Sequence, residues 1–443
     1  MDDQEDSVPL IGVYDKEAVG VETDAYGFAP STPPGRRPSS NLRSVLCFMA
    51  IVLVPSFLLS GIWSYQRMSS SLSNLLDPFA LKPRLTYHDD GSFKLVVFSD
   101  FHFGEAENLG WGAEQDRKSV GVMRSMLASE KPDFVVINGD LITGDDTFKE
   151  NSTSYLDMML APLIEASIPF ATTFGNHDNH INISHYDELR HIQKIAPLAY
   201  VDACHSCGGA GGEANYFVPI YARKQDNKPS LFLWFFDSRG GIDSQAKALP
   251  DWVDETVADW LGSVTSAMNA KWHSYDHQSI VFSHIPPHRM IDLQQALNST
   301  NEPGMNADRM GAGSSQSSLG EVGRDLVWWK AMNDHIPNII ATVHGHDHGN
   351  EWCARDPESQ VVLCFNKHSG YGGYDSPGWG HGVRIFELTL GTPGARTYIK
   401  MENGTTHADV VLDSSYDPKP KPKPKPSSFK SPSSWDLKLA GDW

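Results

Sequence analysis

Residues 93–102 read FKLVVFSDFH, an apolar run of strand length that closes on Asp100 and His102. The same pattern recurs downstream. DFVVINGD ends at Asp140, IPFATTFGNHD at Asp178, LFLWFFDS at Ser238, SIVFSH at His284 and NIIATVHGH at His346. Near-continuous apolar runs of this kind are strands covered on both faces. Helical spacing lies between them, as where Val120, Met123 and Leu127 repeat ahead of Pro132. Strands alternating with helices predict an α/β core. Ligands in such folds gather beyond the carboxyl ends of the strands, and each polar residue named above stands at one.

Five of these ends carry groups able to bind metal: Asp100-Phe-His102, Gly139-Asp140, Gly175-Asn176-His177-Asp178, His284, and Gly345-His346-Asp347-His348. Carboxylate oxygen together with neutral imidazole suits zinc, iron or manganese. The Asp-x-His and His-x-His spacings place alternate residues on one side of an extended segment. Gly139, Gly175 and Gly345 allow sharp turns and close backbone approach. One histidine at a strand end is ordinarily a surface or a satisfied core residue. Five such clusters in one ordered pattern point to a metal centre.

That ordered set resembles the calcineurin-like metallophosphoesterase family, over essentially all of 86–412. The resemblance implies an αββα sandwich with two divalent or mixed-valence metal ions (iron, zinc or manganese). It implies Asp100, His102 and His348 on the first metal, Asn176, His284 and His346 on the second, and Asp140 bridging. His177 would then face the substrate, oriented by Asp178, and His288 is a further substrate-side candidate. Asn215-Tyr-Phe-Val218, Phe236-Asp-Ser238, His284-Ile-Pro-Pro287 and Ser369-Gly-Tyr-Gly-Gly-Tyr374 are similar to the purple acid phosphatase-like branch of plants and fungi. True purple enzymes carry an iron-binding tyrosine three residues after the Gly-Asp aspartate. Here that position is Thr143, and His102 fills the Asp-x-His slot, so a non-purple variant is expected.

Two metals about 3.5–4 Å apart clamp attacking and leaving oxygens and lower the pKa of bound water, and stabilising the spreading charge dominates phosphoryl transfer. The resemblance therefore implies hydrolysis of phosphate esters by a metal-activated hydroxide. His177, spare as a ligand, would protonate the leaving oxygen or bind the phosphoryl group. The expected activity is phosphomonoester hydrolysis on a phosphoprotein or a small molecule. Phosphodiester hydrolysis and a non-catalytic scaffold are the alternatives, and the presence of all seven ligand positions favours an enzyme. A formal charge of −19 over 443 residues argues against nucleic-acid binding. It leaves a phosphate substrate open, because metal ions supply positive charge. The glycines from Gly370 to Gly373 lack the Lys-Ser/Thr of a phosphate loop and read as a tight turn.

Outside this domain, residues 1–42 read as a disordered cytosolic segment rich in Asp, Glu, Pro, Ser and Gly. Asp6, Leu10 and Ile11 within it resemble an acidic dileucine sorting signal. Val45 to Trp63, VLCFMAIVLVPSFLLSGIW, is nineteen residues without a charge, and about 20 suffice to cross a bilayer. The 44 residues ahead of it exceed the n-region of a cleaved signal peptide. An uncleaved anchor at 45–63 is expected, with a stalk at 64–85 and a Pro/Lys tail at 413–443. The glycosylation triplets at Asn151, Asn182, Asn298 and Asn403 all follow the anchor, which places the catalytic domain in the lumen or outside the cell, as in a type II membrane protein. Cys204, Cys207, Cys353 and Cys364 lie in that domain. Disulfides are expected there over a four-cysteine zinc site. Three pairings are open, and the local pairs are preferred.

Overall fold

The computed structural model describes residues 76–106, 109–272, 277–310 and 323–419. They lie within the unit Met68–Trp443. The expected anchor at 45–63, the segment 1–42 with Asp6, Leu10 and Ile11, and the Pro/Lys run beyond Lys419 lie outside the described residues. Among the described residues no helix is long and apolar enough to cross a membrane.

The apolar runs form two six-stranded sheets. The first holds β1 (Ser92–Phe98), β2 (Phe134–Asn138), β3 (Phe170–Thr173), β10 (Gly382–Thr389), β11 (Ala395–Met401) and β12 (Thr406–Leu412). Its order is β12-β11-β10-β1-β2-β3, with β1, β2 and β3 parallel. The second holds β4 (Tyr216–Tyr221), β5 (Pro229–Phe235), β6 (Gln278–Phe282), β7 (Ile339–His344), β8 (Cys353–Arg355) and β9 (Val362–Phe365). Its order is β4-β5-β6-β7-β9-β8, and β5, β6, β7 and β9 run parallel.

Strand β5 shows why its sequence is apolar at nearly every position. Successive side chains point to opposite faces. Leu231, Leu233 and Phe235 join the core that also holds the first sheet. Phe232 and Trp234 join a separate cluster with Val257, Leu261 and Val264 of α4 (Thr256–Trp272) and Trp328 and Met332 of α6 (Leu326–His335). Helices α1 (Gly112–Glu130), α2 (Ser152–Ala166) and α3 (His185–Ile195) add Met123, Leu156 and Ile192 to the first core. A short α5 (Arg289–Gln295) follows β6. The layers are therefore helix, sheet, sheet, helix, the expected two-sheet α/β fold. Trp234 is fully buried, and truncating such a side chain to alanine costs about 3–5 kcal/mol.

The packed body is wider than 86–412. Leu76, Phe79 and Leu85 are buried, within the span expected as stalk. At the other end the Tyr416 hydroxyl donates to the Cys353 carbonyl, Arg355 donates to the Tyr416 carbonyl at 2.9 Å, and Lys419 pairs with Glu302 at 3.1 Å. Leu76, Phe79 and Leu85 in one flank and Tyr416 in the other hold both onto the domain.

Candidate metal centre

Strands β1, β2 and β3 of one sheet and β6 and β7 of the other deliver the candidate ligands just past their carboxyl ends. The backbone there is unusual. Asp100, His102, Asp140 and His346 have φ of 56°, 52°, 49° and 75°. Left-handed backbone at non-glycine residues costs of order 1–3 kcal/mol each and collects at functional sites. The Asp140 carbonyl holds two of these turns together, accepting from Phe101 N–H at 2.8 Å and His102 N–H at 3.1 Å. Gly139 has φ 87°, and a Cβ on it would lie 2.4 Å from the His284 ring; one on Gly175 would lie 2.2 Å from Asp140 Oδ1. No other residue permits these approaches.

Three overlapping groups of side chains converge: Asp100, His102 and His348; Asp140, His284 and His346; and His102, Asp140 and His177, each with one ligand atom per residue within 4.8 Å of the others. His102 Nε2 faces His348 Nε2 at 3.3 Å. That is close to the roughly 3.4 Å edge of a tetrahedron with metal–nitrogen bonds of about 2.1 Å. Asp140 Oδ2 lies 2.9 Å from His284 Nε2 and 3.6 Å from His102 Nε2, so it stands between the groups. Its Oδ1 accepts from His177 N–H at 2.9 Å.

The other ring nitrogens are already engaged. His102 Nδ1 meets Thr143 Oγ1 at 3.3 Å, His284 Nδ1 donates to the Asn138 carbonyl at 2.9 Å, and His348 Nδ1 donates to the Tyr374 carbonyl at 2.6 Å. Such partners fix the tautomer and aim Nε2 at a metal. Asn176 Oδ1 is buried and has no hydrogen-bond partner. Buried polar atoms are normally satisfied, and a cation would satisfy this one. The residues fit two divalent cations.

Burial pulls the basicity of His284 down, but the Asp140 charge and hydrogen bond outweigh it and hold the imidazole at about 10. Burial raises the Asp140 carboxyl, and His284 and His177 more than reverse this, leaving it well below the usual carboxylate range. Protons and metal ions therefore compete for the same pair.

His177 stands at the mouth, its side chain 39% exposed and Nδ1 3.5 Å from Asp145 Oδ1. Burial lowers its basicity, and Asp140 and Asp145 outweigh burial to lift it to about 9. Asp178, expected to orient His177, faces away from it. It is fully buried, and its carboxylate accepts from the N–H groups of Leu141 at 2.8 Å, Ile142 at 3.0 Å and Gly175 at 2.8 Å. Asn176–Asp178 form a 3₁₀ turn, which sets successive side chains about 120° apart. His177 points out and Asp178 in. The partner that sequence reading missed is Asp145; its signal was the Gly144-Asp145-Asp146 step in the loop that carries Asp140.

His288 does not join the cluster. Its Nδ1 lies 2.5 Å from Asp325 Oδ1 and its N–H donates to the same carboxylate, at the start of α5. The cysteines pair locally, as expected: Cys204 with Cys207, and Cys353 with Cys364, which sit opposite one another on β8 and β9.

The sequence pattern of the calcineurin-like phosphoesterases matches residues 93–350, more than half of the chain and the whole stretch holding the converging donors. The chain belongs to the calcineurin-like phosphoesterase family. Within that family it is similar to probable inactive purple acid phosphatase 28 of Arabidopsis thaliana, 26% identical over 69% of this chain and 78% of that one. It is also 26% identical to phosphatase DCR2 of Saccharomyces cerevisiae, over 73% of this chain and 56% of the yeast protein. Among solved structures, a dimetal phosphatase from Danio rerio aligns with 73% of this chain and 99% of its own, at 14% identity and a TM-score of 0.45. Dinuclear metal centres are the rule in this family, and the purple acid phosphatase-like relatives agree with the branch indicated by the motifs.

Proposed function

We propose that the protein is an active phosphomonoesterase using Asp100, His102, Asp140, Asn176, His284, His346 and His348 to hold two cations. The observation that carries this reading is Asp140 Oδ2 standing between two sets of donors, 2.9 Å from His284 and 3.6 Å from His102. When bound, two divalent cations supply Lewis acidity at the phosphoryl oxygens and a water acidic enough to ionise near neutral pH. The chain does the rest. Thr143, Asn138 and Tyr374 keep three imidazoles aimed inward. His177 is partly exposed, and in the metal-free protein the Asp140 and Asp145 charges outweigh burial and raise it to about 9. With Nδ1 turned to Asp145, its Nε2–H is free to protonate the leaving oxygen. The same imidazolium adds positive charge for a dianionic monoester, which supports monoester over diester.

The Arabidopsis relative is named probable inactive and the yeast relative a phosphatase; the complete donor set favours catalysis here. The test uses the full-length protein loaded in turn with zinc, iron and manganese, on 4-nitrophenyl phosphate and bis(4-nitrophenyl) phosphate. Faster monoester hydrolysis is expected. Faster diester hydrolysis replaces the reading with a phosphodiesterase, and metal uptake without turnover replaces it with a scaffold.

We also propose that this domain faces the secretory lumen behind the anchor at 45–63. The two disulfides and the exposed sequons Asn298 and Asn403 support this. Asn182 does not, because its amide donates to the carbonyls of Thr147 at 2.6 Å and Gly144 at 3.3 Å. Glycosidase treatment should shift gel mobility, with glycans mapping to Asn298 and Asn403. No shift, together with digestion by protease added outside intact vesicles, would reverse the topology.

A further inference from the structure

On the loop between β9 and β10, a second cluster of donors takes no part in the chemistry above. We propose that His368, Asp375 and His381 hold a third divalent cation, zinc by their donor set, which clips this loop around His348. One ligand atom from each lies within 4.8 Å of the other two. His381 Nε2 is 3.9 Å from Asp375 Oδ2, too long for a hydrogen bond but short enough for two ligands of one ion.

The buried imidazoles supply the independent sign. His368 is 1% exposed and His381 5%. Neither ring nitrogen of His368 has a hydrogen-bond partner. Native interiors leave few such groups, and each calls for a water or an ion. The adjacent Lys367 is committed elsewhere, to Glu351 at 3.1 Å. Two imidazoles and a carboxylate meeting at one point suit zinc, with water in the fourth position. Asp375, with its side chain 41% exposed, opens that position to solvent, offsets part of the ionic charge and can close the last few tenths of an ångström by rotation.

The clip would act on a neighbour. The His368 ring stacks on His348 at 4.8 Å, and Tyr374, next to Asp375, stacks on its other side at 4.1 Å and accepts from its Nδ1 at 2.6 Å. A cation on His368 and Asp375 fixes both partners of His348. That consequence rests on the two-metal reading; the third site itself does not.

The experiment counts zinc per chain in the full-length protein after saturation and gel filtration. Asp375→Ala, which alters an exposed side chain, and His381→Gln should each bind one equivalent less than wild type. Asp140→Ala should bind two less and keep the third. An unchanged count in Asp375→Ala overturns the third site, whatever Asp140→Ala does. So does a loss of two or more equivalents in Asp375→Ala, which would make Asp375 part of the dinuclear centre. A loss in Asp375→Ala with none in Asp140→Ala keeps the third site and defeats the two-metal reading.

Discussion

His177 Nδ1 lies 3.5 Å from Asp145 Oδ1, while the neighbouring Asp178 carboxylate is spent on three backbone N–H groups. The contact to His177 and the bracing of the local backbone are thus divided between two aspartates. His177→Ala should keep its metals, since no ligand is lost, and turn over about 10²–10⁴ more slowly. The loss should be larger on alkyl phosphates than on 4-nitrophenyl phosphate, whose leaving group needs no proton. Equal losses would assign His177 to phosphoryl binding, and loss of metal would make it a ligand.

Asp145→Asn separates the two carboxylates. Asp145 raises His177, so removing its charge lets the imidazole lose its proton at lower pH. The basic limb of the pH–rate profile should move toward acid with metal content unchanged. Asp178→Asn should instead lower stability by about 1–3 kcal/mol, because an amide cannot serve all three donors, and leave that limb in place. A limb that moves with Asp178 and not with Asp145 contradicts the assignment.

Metal affinity should fall steeply with acid. A cation entering between Asp140 and His284 displaces the proton that His284 holds with a pKa of about 10, so binding at neutral pH releases protons. Calorimetry in buffers of different ionisation enthalpy reads that release directly. In the metal-free protein the sign reverses. A raised His284 stabilises the fold fully below about pH 6.5 and loses that contribution as pH rises through about 10. Metal uptake without proton release would show that the pair is already open.

Colour tests the role of Thr143. Its hydroxyl touches His102 Nδ1 at 3.3 Å, at the position where purple enzymes have their tyrosine. The nearby Tyr374 is kept protonated by burial and by the hydrogen bond it donates to Asp308. The iron-loaded protein should show no tyrosinate charge-transfer band. A purple preparation would mean that another tyrosine reaches the metal.

The donor set was legible in the sequence because each ligand follows an apolar strand within a few residues. Strand period and fold class come from that same local pattern. Asp145 was not legible, because its role depends on a 3₁₀ turn that rotates Asp178 inward and His177 outward. Nor was the pairing of His288 with Asp325, 37 residues away. The packing of Phe79 and Tyr416 onto the domain was not legible either, because their partners Tyr200, Tyr216 and Cys353 are far off in the chain.

The most direct measurement pairs metal content with 4-nitrophenyl phosphate turnover in the same samples of wild type and Asp140→Ala. Asp140 Oδ2 faces both halves of the centre, so the variant should lose two equivalents of metal and all metal-dependent turnover together. A variant that keeps both metals and turns over substrate would contradict the shared carboxylate, and a fully loaded wild type that hydrolyses no ester would contradict the enzyme.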